Sequence, residues 1–414
     1  MAELEQTIEE KLIKQLTEGK SQWTYRPDLN DEDKLWNNIR LILERGNKEQ
    51  LDGEPLTDRE FEQVKNQLSF ASFYDAAKWI SGENGIAHIS VQRDNKTVQL
   101  TVLKRDDIAG GASVYEVINQ YRALKDEETD DIHDQNRRFD VSLLINGIPL
   151  IHIELKNRQH SFMDGFRQIK KYIGEGKFTG VFSAVQMFVV SNAVETKYFA
   201  AANAEQLNEK FLSGWEDKNN EPVADYLKFA EAILKIPEAH QMVMKYVVLD
   251  KDKNQLLLLR PYQIHAIEAV REASKRQKSG YVWHTTGSGK TMTSYKTARN
   301  LLIDIPNIEK TIFLIDRKDL DRQTSDAFKS YADNDIIDVD ETENVGDLIK
   351  KLKNKNQQVI VTTIQKLSIA IKKRLKEDTP EYNRIKNLHI AFVVDECHRA
   401  VTPRTQRLLS QFFR

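Results

Sequence analysis

At 414 residues the chain is too long for one ordinary hydrophobic core, and two or three domains are expected. Its 61 basic and 63 acidic side chains leave a formal charge of -2, which excludes a globally basic nucleic-acid binder and confines any DNA contact to local patches. A single cysteine, Cys397, excludes an intrachain disulfide, and no stretch is apolar enough for a signal peptide or a membrane span. The sequence reads as a soluble intracellular protein.

In chain order, residues 30–80 read as helical, with Leu35, Trp36, Ile39, Leu41 and Ile42 spaced among charges. Residues 86–103 turn extended, because 87–91 and 98–102 alternate as half-buried strands do. Residues 114–124 read as a helix. Apolar strands follow over 139–145 and 149–155, then a helix over 164–174 and a strand over 182–191. Polar stretches at 216–222 and 250–254 are linker candidates. Beyond them, a strand at 280–283, a helix at 291–302 and strands at 311–315, 359–362 and 390–394 set up a βαβ rhythm. That rhythm predicts a parallel sheet covered by helices. The boundary is expected near residue 255, giving units 1–255 and 256–414.

The strongest local pattern is His284-Thr285-Thr286-Gly287-Ser288-Gly289-Lys290-Thr291. It follows an apolar run and opens a helix, the context in which glycines bring backbone amides to phosphates and the helix dipole favours negative charge. Thr286, Gly287, Ser288 and Gly289 would cradle the phosphates of ATP. Lys290 would reach the β- and γ-phosphates, and Thr291 would bind Mg²⁺. His284 stands where the strict pattern has glycine. Further on, the buried-strand run 390–394 ends in Asp395-Glu396, an acid pair where magnesium coordination is expected: Asp395 for the metal, Glu396 for the attacking water.

A second constellation comprises Asp140, then Glu154 and Lys156 two apart at a strand end. Two carboxylates can chelate Mg²⁺, and strand alternation sets Lys156 on the face of Glu154. Solvated charges on an edge strand are the competing reading. The chemistry imposes a geometric condition. A plain two-residue turn at Asn146-Gly147 would pair Asp140 with Ile153 and turn the two carboxylates to opposite faces. A three-residue loop of Ile145, Asn146 and Gly147, or a bulge in one strand, is therefore expected. Downstream, Gln168 and Tyr172 fall on one helix face, near Arg167, Lys170 and Lys171, which could meet phosphates.

Several stretches carry a resemblance. Asp395-Glu396-Cys397-His398 resembles the Asp-Glu-x-His box of superfamily 2 helicases, and Arg260-Pro261-Tyr262-Gln263 resembles their adenine-reading element, with Gln263 on the base. Gln168 and Tyr172 resemble the Gln-x-x-x-Tyr element of RecB-like nucleases. Together with 146–156, Trp283-His284 before the phosphate loop, and 315–323, they resemble the restriction subunit of type I restriction-modification enzymes, from about residue 30 onward. The resemblance implies a PD-(D/E)xK-type nuclease domain, a mixed sheet flanked by helices, followed by a RecA-like parallel-sheet ATPase lobe. It implies an ATP-dependent type I site-specific deoxyribonuclease that cuts double-stranded DNA and translocates it. Asp140, Glu154, Lys156, Gln168, Tyr172 and Glu396 would be its catalytic groups. Modification (methyltransferase) and specificity subunits are the implied partners, and a bacterial or archaeal cytoplasm the implied location. A second motor lobe, supplying an arginine to the ATP site, is expected after Arg414, so the sequence is expected to be a fragment. Another nuclease–helicase fusion of DNA repair or phage defence is the alternative.

Overall fold

The computed structural model describes residues 4–19, 23–106, 111, 113–124, 136–285, 287–315, 321–333, 335, 337–356, 358–397 and 402–413. Contacts divide the chain into two units, one of residues 1–249 with 254–262, the other of residues 250–253 with 263–414.

The first unit begins with α1 (Glu5–Thr17), whose Ile8, Leu12, Ile13 and Leu16 recur at helical spacing and are buried. After the short β1 (Thr24–Tyr25) come α2 (Glu32–Gly46), α3 (Asp58–Gln67) and α4 (Phe73–Ser81). Each starts where the sequence supplies a capping side chain, Asp31, Thr57 and Ser72, that accepts from a first-turn amide. Strands β2 (Ile86–Arg93) and β3 (Lys96–Lys104) form a separate antiparallel hairpin.

The main sheet joins β1 to β4 (Tyr115–Ala123), β5 (Arg137–Ile145), β6 (Ile148–Leu155), β7 (Met187–Ser191) and β8 (Thr196–Ala200), in the order β1-β4-β5-β6-β7-β8. The β1–β4 and β6–β7 pairs are parallel and the rest antiparallel. Helix α5 (Phe162–Gly174) connects β6 to β7. Every residue of β6 is buried, so its sequence is a nearly continuous apolar run and not an alternation.

Two expectations need correction here. Residues 114–124 are the strand β4, not a helix. Both faces of β4 carry buried residues, and Gln120 adopts φ 52°, so the period-two signature of a strand is lost at its centre. Of residues 182–191, only β7 is strand, because Gly180–Ala184 is a 3-10 turn. The polar stretch at 216–222 links a small hairpin of β9 (Trp215–Glu216) and β10 (Pro222–Val223). Helices α6 (Tyr226–Phe229) and α7 (Glu238–Met244) and the pair β11 (Val247–Asp250) and β12 (Gln255–Leu258) complete this part of the chain.

In the second unit, α8 (Pro261–Lys275) and α9 (Lys290–Asp304) precede β13 (Lys310–Ile315). They are followed by α10 (Asp321–Ala332), β14 (Asp338–Glu341), α11 (Val345–Lys353), β15 (Gln358–Thr363), α12 (Ile364–Ile369), α13 (Pro380–Lys386), β16 (Ile390–Val394) and a last helix over Pro403–Phe412. The four strands form an all-parallel sheet of order β14-β15-β13-β16. Strand alternation sends Phe313 and Ile315 into a core with Tyr295, Leu302 and Phe328 on one face. Ile312 and Leu314 enter a core with Leu348, Leu352, Leu367 and Phe412 on the other. The expected strand at 280–283 is absent. None of the described strands pairs with it, and Tyr281, Val282 and Trp283 are exposed; apolar side chains alone do not supply the hydrogen-bonding neighbour that a strand needs.

Candidate active sites

The geometric condition on the two carboxylates is met by the bulge and not by the three-residue loop. Asn146 and Gly147, at φ 53° and 79°, form the two-residue turn that an Asn-Gly pair favours, and Ile145 pairs with Ile148. Leu144 then pairs with Pro149 but Leu143 with Ile151, so Leu150 is an extra residue on β6. Past this point Val141 opposes Ile153, which sets Asp140 across from Glu154 on one face of the sheet. The Leu155 amide donates to Asp140 Oδ2 at 2.8 Å, and Lys156 Nζ donates to Glu154 Oε1 at 2.9 Å.

The environment of this pair is dry and acidic. Glu154 is fully buried, and its Oε2 has no hydrogen-bond partner. Burial and the neighbouring charge of Glu154 push the Asp140 carboxyl up to about 8. Burial likewise raises Glu154, against the pull of Lys156. Burial works against the charge on Lys156, but Glu154 and Asp140 outweigh it and hold the ammonium above its ordinary range. His152, also fully buried, is pushed by burial down to about 4 and is neutral near pH 7.

These residues fit a divalent cation. A fully buried carboxylate oxygen without a donor is costly unless a cation meets it. Among the described residues no group of three or more His, Cys, Asp and Glu could hold a metal ion. Two carboxylates are nevertheless enough for Mg²⁺, which keeps several waters and takes phosphate oxygens readily.

On α5, which Ser161 caps, Gln168 Nε2 donates to the Tyr172 hydroxyl at 3.0 Å, one helical turn away. Tyr172 stacks on Phe139, Arg137 lies over its ring, and burial followed by the charge of Glu154 raises its phenol. A Cβ on Gly165 would stand 3.5 Å from Glu154 Cγ, so the helix packs directly on the acid. The structure thus brings all five residues singled out in this unit to one end of the β5–β6 pair. Of the basic residues, Arg167 pairs with Asp164 and Lys171 with Glu175, and Lys170 donates to the Leu207 carbonyl.

In the second unit Gly287 and Gly289 take φ 78° and 74°, the left-handed region that glycine enters without penalty, and Gly289 leads directly into α9. A Cβ on Gly289 would come within 2.8 Å of Gln263 Nε2. Ser288 Oγ donates to the Thr285 carbonyl at 2.7 Å and lies 3.0 Å from His284 Nδ1, so the histidine in the glycine position braces the loop from inside. Gln263 is buried and turns its amide toward the carbonyls of Ser288 and Gly289. Lys290 Nζ lies 3.2 Å from Asp395 Oδ1 and also contacts Glu396 Oε1. Burial disfavours its charge, but Glu396 and Asp395 override that and raise it. Asp395 sits just past β16, its amide donating to the Leu314 carbonyl, and Glu396 takes φ 45°. Thr291 is half-buried in the first turn of α9. Thr286, His398 and residues 316–320 lie outside the described residues.

Comparison with known proteins gives these geometries a context. Residues 2–207 match the family model for the type I restriction enzyme R protein N terminus, and residues 262–414 match that for the SWI2/SNF2 ATPase. The chain is 35% identical over 391 residues to the type I restriction enzyme SauCOLORF180P endonuclease subunit of Staphylococcus aureus, covering 94% of this chain and 39% of that protein. It is 34% identical over 387 residues to the SsaAORF53P endonuclease subunit of Staphylococcus saprophyticus, 93% of this chain and 39% of that protein. With the type I restriction enzyme EcoprrI endonuclease subunit of Escherichia coli it shares 28% identity over 267 residues, 64% of this chain and 80% of that protein. The chain belongs to the type I restriction enzyme endonuclease subunits. It spans well under half the length of the staphylococcal family members. Its two model matches fall on the two units, an R-protein N terminus on the first and an ATPase on the second.

One contribution to the acidic cluster of the first unit lies outside every motif in the sequence. From α1, Glu9 is buried and accepts from Asn119 Nδ2 and Gln120 Nε2, each at 2.6 Å; burial raises its carboxyl, and the charge of Asp140 adds to the effect. Glu5, one turn earlier, accepts from the Asn157 amide at 3.2 Å and acts on Glu154 and Lys156 through space. Gln120 is the residue of β4 opposite Asp140, so the left-handed kink, Glu9 and Asp140 meet at one point. The signal in the sequence is an acid inside the apolar stripe of an amphipathic helix, Glu9 beside Ile8 and Leu12. No helix of the described residues is long and apolar enough to cross a membrane.

Proposed function

We propose that the chain carries the DNA-cutting domain and the first motor lobe of an ATP-dependent type I site-specific deoxyribonuclease. Residues 1–255 act as a PD-(D/E)xK-type endonuclease domain, and residues 256–414 as a RecA-like lobe of helicase superfamily 2. The observation that carries this reading is the convergence of one fully buried carboxylate, one half-buried carboxylate and one amine, Glu154, Asp140 and Lys156, with Glu154 Oε2 left without a donor.

In the first unit Asp140 and Glu154 would hold Mg²⁺. When bound, the ion supplies Lewis-acid polarisation of the scissile phosphate and a lowered pKa for a coordinated water. Lys156, held beside Glu154 by a 2.9 Å hydrogen bond, orients the attacking water and offsets charge growing on the phosphate. The Gln168–Tyr172 pair fixes the DNA backbone against the same end of the sheet, and Arg167, Lys170 and Lys171 would exchange Asp164, the Leu207 carbonyl and Glu175 for phosphates. In the second unit the backbone of 286–289 receives the phosphates of ATP. Lys290, which rests on Asp395 and Glu396, would serve the β- and γ-phosphates, Asp395 with Thr291 would hold the nucleotide's Mg²⁺, and Glu396 would orient the hydrolytic water. Gln263 would read the adenine edge by exchanging the Ser288 and Gly289 carbonyls for the base. The partners are double-stranded DNA and the modification and specificity subunits, in a bacterial or archaeal cytoplasm.

Cleavage of supercoiled DNA by the assembled complex, with ATP turnover followed in parallel, tests the assignment. Lys156→Ala is expected to abolish cutting and spare turnover. Undiminished cutting by this variant would remove the nuclease from the first unit.

A further inference from the structure

The chain as a whole is close to neutral, but its charge is unevenly placed. Residues 350–388 hold eleven lysines and arginines against three acids, a formal +8 in a chain whose total is -2. The fold of the second unit gathers these side chains. Leu352 in the last turn of α11, Leu375 just after the π turn Ala370–Arg374, and Ile385 in the last turn of α13 are buried in one core. Each is flanked in sequence by cations: Lys351 and Lys353, Arg374 and Lys376, Arg384 and Lys386. One core thus carries a cationic rim drawn from three elements.

The rim stands at the amino ends of the strands. Lys353 ends the helix that leads to Gln358, the first residue of β15, and Lys386 ends the helix that leads to Ile390, the first of β16. Both of those first residues pair with Lys310, which opens β13 between them. Leu388, on the approach to β16, shares the core with Leu375 and so ties the π turn to the same end. The phosphate loop lies at the opposite end, where Lys290 meets Asp395 just past β16.

Most of the rim is uncompensated. Lys355, Lys372, Lys373, Arg374, Lys376 and Arg384 are exposed, and among the described residues their side chains make no hydrogen bond or ion pair. Of the three acids, Glu381 holds Lys353, while Glu377 and Asp378 are exposed. A cation in the last turn of a helix offsets the helix dipole, but that effect fades beyond the turn, where Lys355 and Lys376 lie. Crowded like charges repel one another unless a polyanion meets them.

We propose that this rim is a docking surface for the phosphate backbone of double-stranded DNA, separate from the nucleotide site. This rests on the reading of the chain as one that acts on duplex DNA. Phosphate contacts carry no sequence information, so the rim grips any duplex, and its grip weakens steeply with salt as counterions return.

Titration of the full chain with a labelled duplex of arbitrary sequence, from about 50 to about 200 mM salt, tests it. The triple variant Lys372→Gln, Lys373→Gln, Arg374→Gln is expected to bind about 10–100-fold more weakly and to lower the salt slope by about 2–3, as three lost phosphate contacts require. Lys355→Gln with Arg384→Gln, on other parts of the rim, is expected to lower the slope by about 2. All five side chains are exposed, so folding is not at stake. Lys210→Gln, Lys218→Gln, Lys228→Gln removes three exposed lysines of the first unit and is expected to change little. Wild-type affinity and slope in both rim variants overturn the proposal and leave the rim to an acidic protein surface. An equal loss in the first-unit variant also overturns it, since net charge alone would then act. If the wild type binds no duplex at the lowest salt, the DNA reading of the chain falls with the rim; if it binds and the rim variants match it, only the rim does.

Discussion

The two candidate sites hold their acids in opposite ways. At the first site Glu154 is fully buried and Asp140 half-buried, with few partners: one amine serves Glu154, one backbone amide serves Asp140, and Glu154 Oε2 is unpaired. Around Asp395 and Glu396 the acids are only partly buried and already neutralised by Lys290, itself 39% exposed. The first arrangement keeps an unmet demand for positive charge, which a divalent cation can satisfy. The second is closed by its own lysine, so a ligand must compete with an existing ion pair before it binds. On the proposed reading, the first site suits a resident ion and the second a ligand that comes and goes.

The contrast can be broken most sharply at the first site. Asp140→Ala and Glu154→Ala are each expected to lower DNA cleavage by at least about 10³-fold, and the double variant little further, because groups that act as one unit are strongly non-additive. Additive losses in a cleavage assay would mean that the two carboxylates do not share a centre. At the second site, Lys290→Ala is expected to weaken binding of a fluorescent ATP analogue about 10–100-fold, or ~1.4–2.7 kcal/mol, and leave Mn²⁺ binding at the first site unchanged. Equal weak binding by variant and wild type would show the loop to be degenerate.

Glu60 provides a compensated reference inside the first unit. Its hydrogen bonds to Arg93, at 2.6 and 2.9 Å, hold its carboxyl down at about 2. Because this folded value lies below the ordinary one of 4.5, the stabilisation is present above that pH and is lost as pH falls toward 2. Glu60→Gln is expected to cost about 2 kcal/mol at neutral pH, read by denaturant unfolding, and to flatten the acid limb of the stability profile.

Asp140 should do the reverse. Its folded value, about 8, lies above the ordinary 3.8, so its contribution is complete below pH 3.8 and is lost as pH rises through 8. The metal-free chain should therefore lose stability over that interval. Asp140→Asn should suppress the loss and raise the melting temperature by about 2–4 °C at pH 8, a gain of ~1 kcal/mol. A melting profile of Asp140→Asn that tracks the wild type across this interval would show that the carboxyl is not strained by its neighbours.

Much of the site was legible because it depends on spacing within one hairpin. Both strands, the Asn146-Gly147 turn and the face shared by Glu154 and Lys156 follow from period-two geometry. The need for a register shift followed as well, but not how it is met. A three-residue loop and a bulge satisfy the alternation equally, and the choice of Leu150 as the extra residue is made by packing in a strand buried on both faces. The strand β4 escaped notice for a related reason. Gln120 interrupts it with a left-handed residue directly opposite Asp140, so the feature that shapes the site also erased the strand's signature. At 280–283 the error ran the other way: an apolar run suggested a strand, but strands are made by their partners.

Taken alone, the order of residues determined which chemical groups this chain carries, how far apart they lie along each element, and which family it resembles. Only the tertiary structure decided that Glu9 from the first helix holds Asn119 and Gln120 beside Asp140, that Lys290 rests on Asp395 and Glu396, and that a neutral His152 faces the bare oxygen of Glu154. The reason is that periodicity acts over a few residues, whereas burial and charge coupling depend on groups brought together from distant parts of the chain.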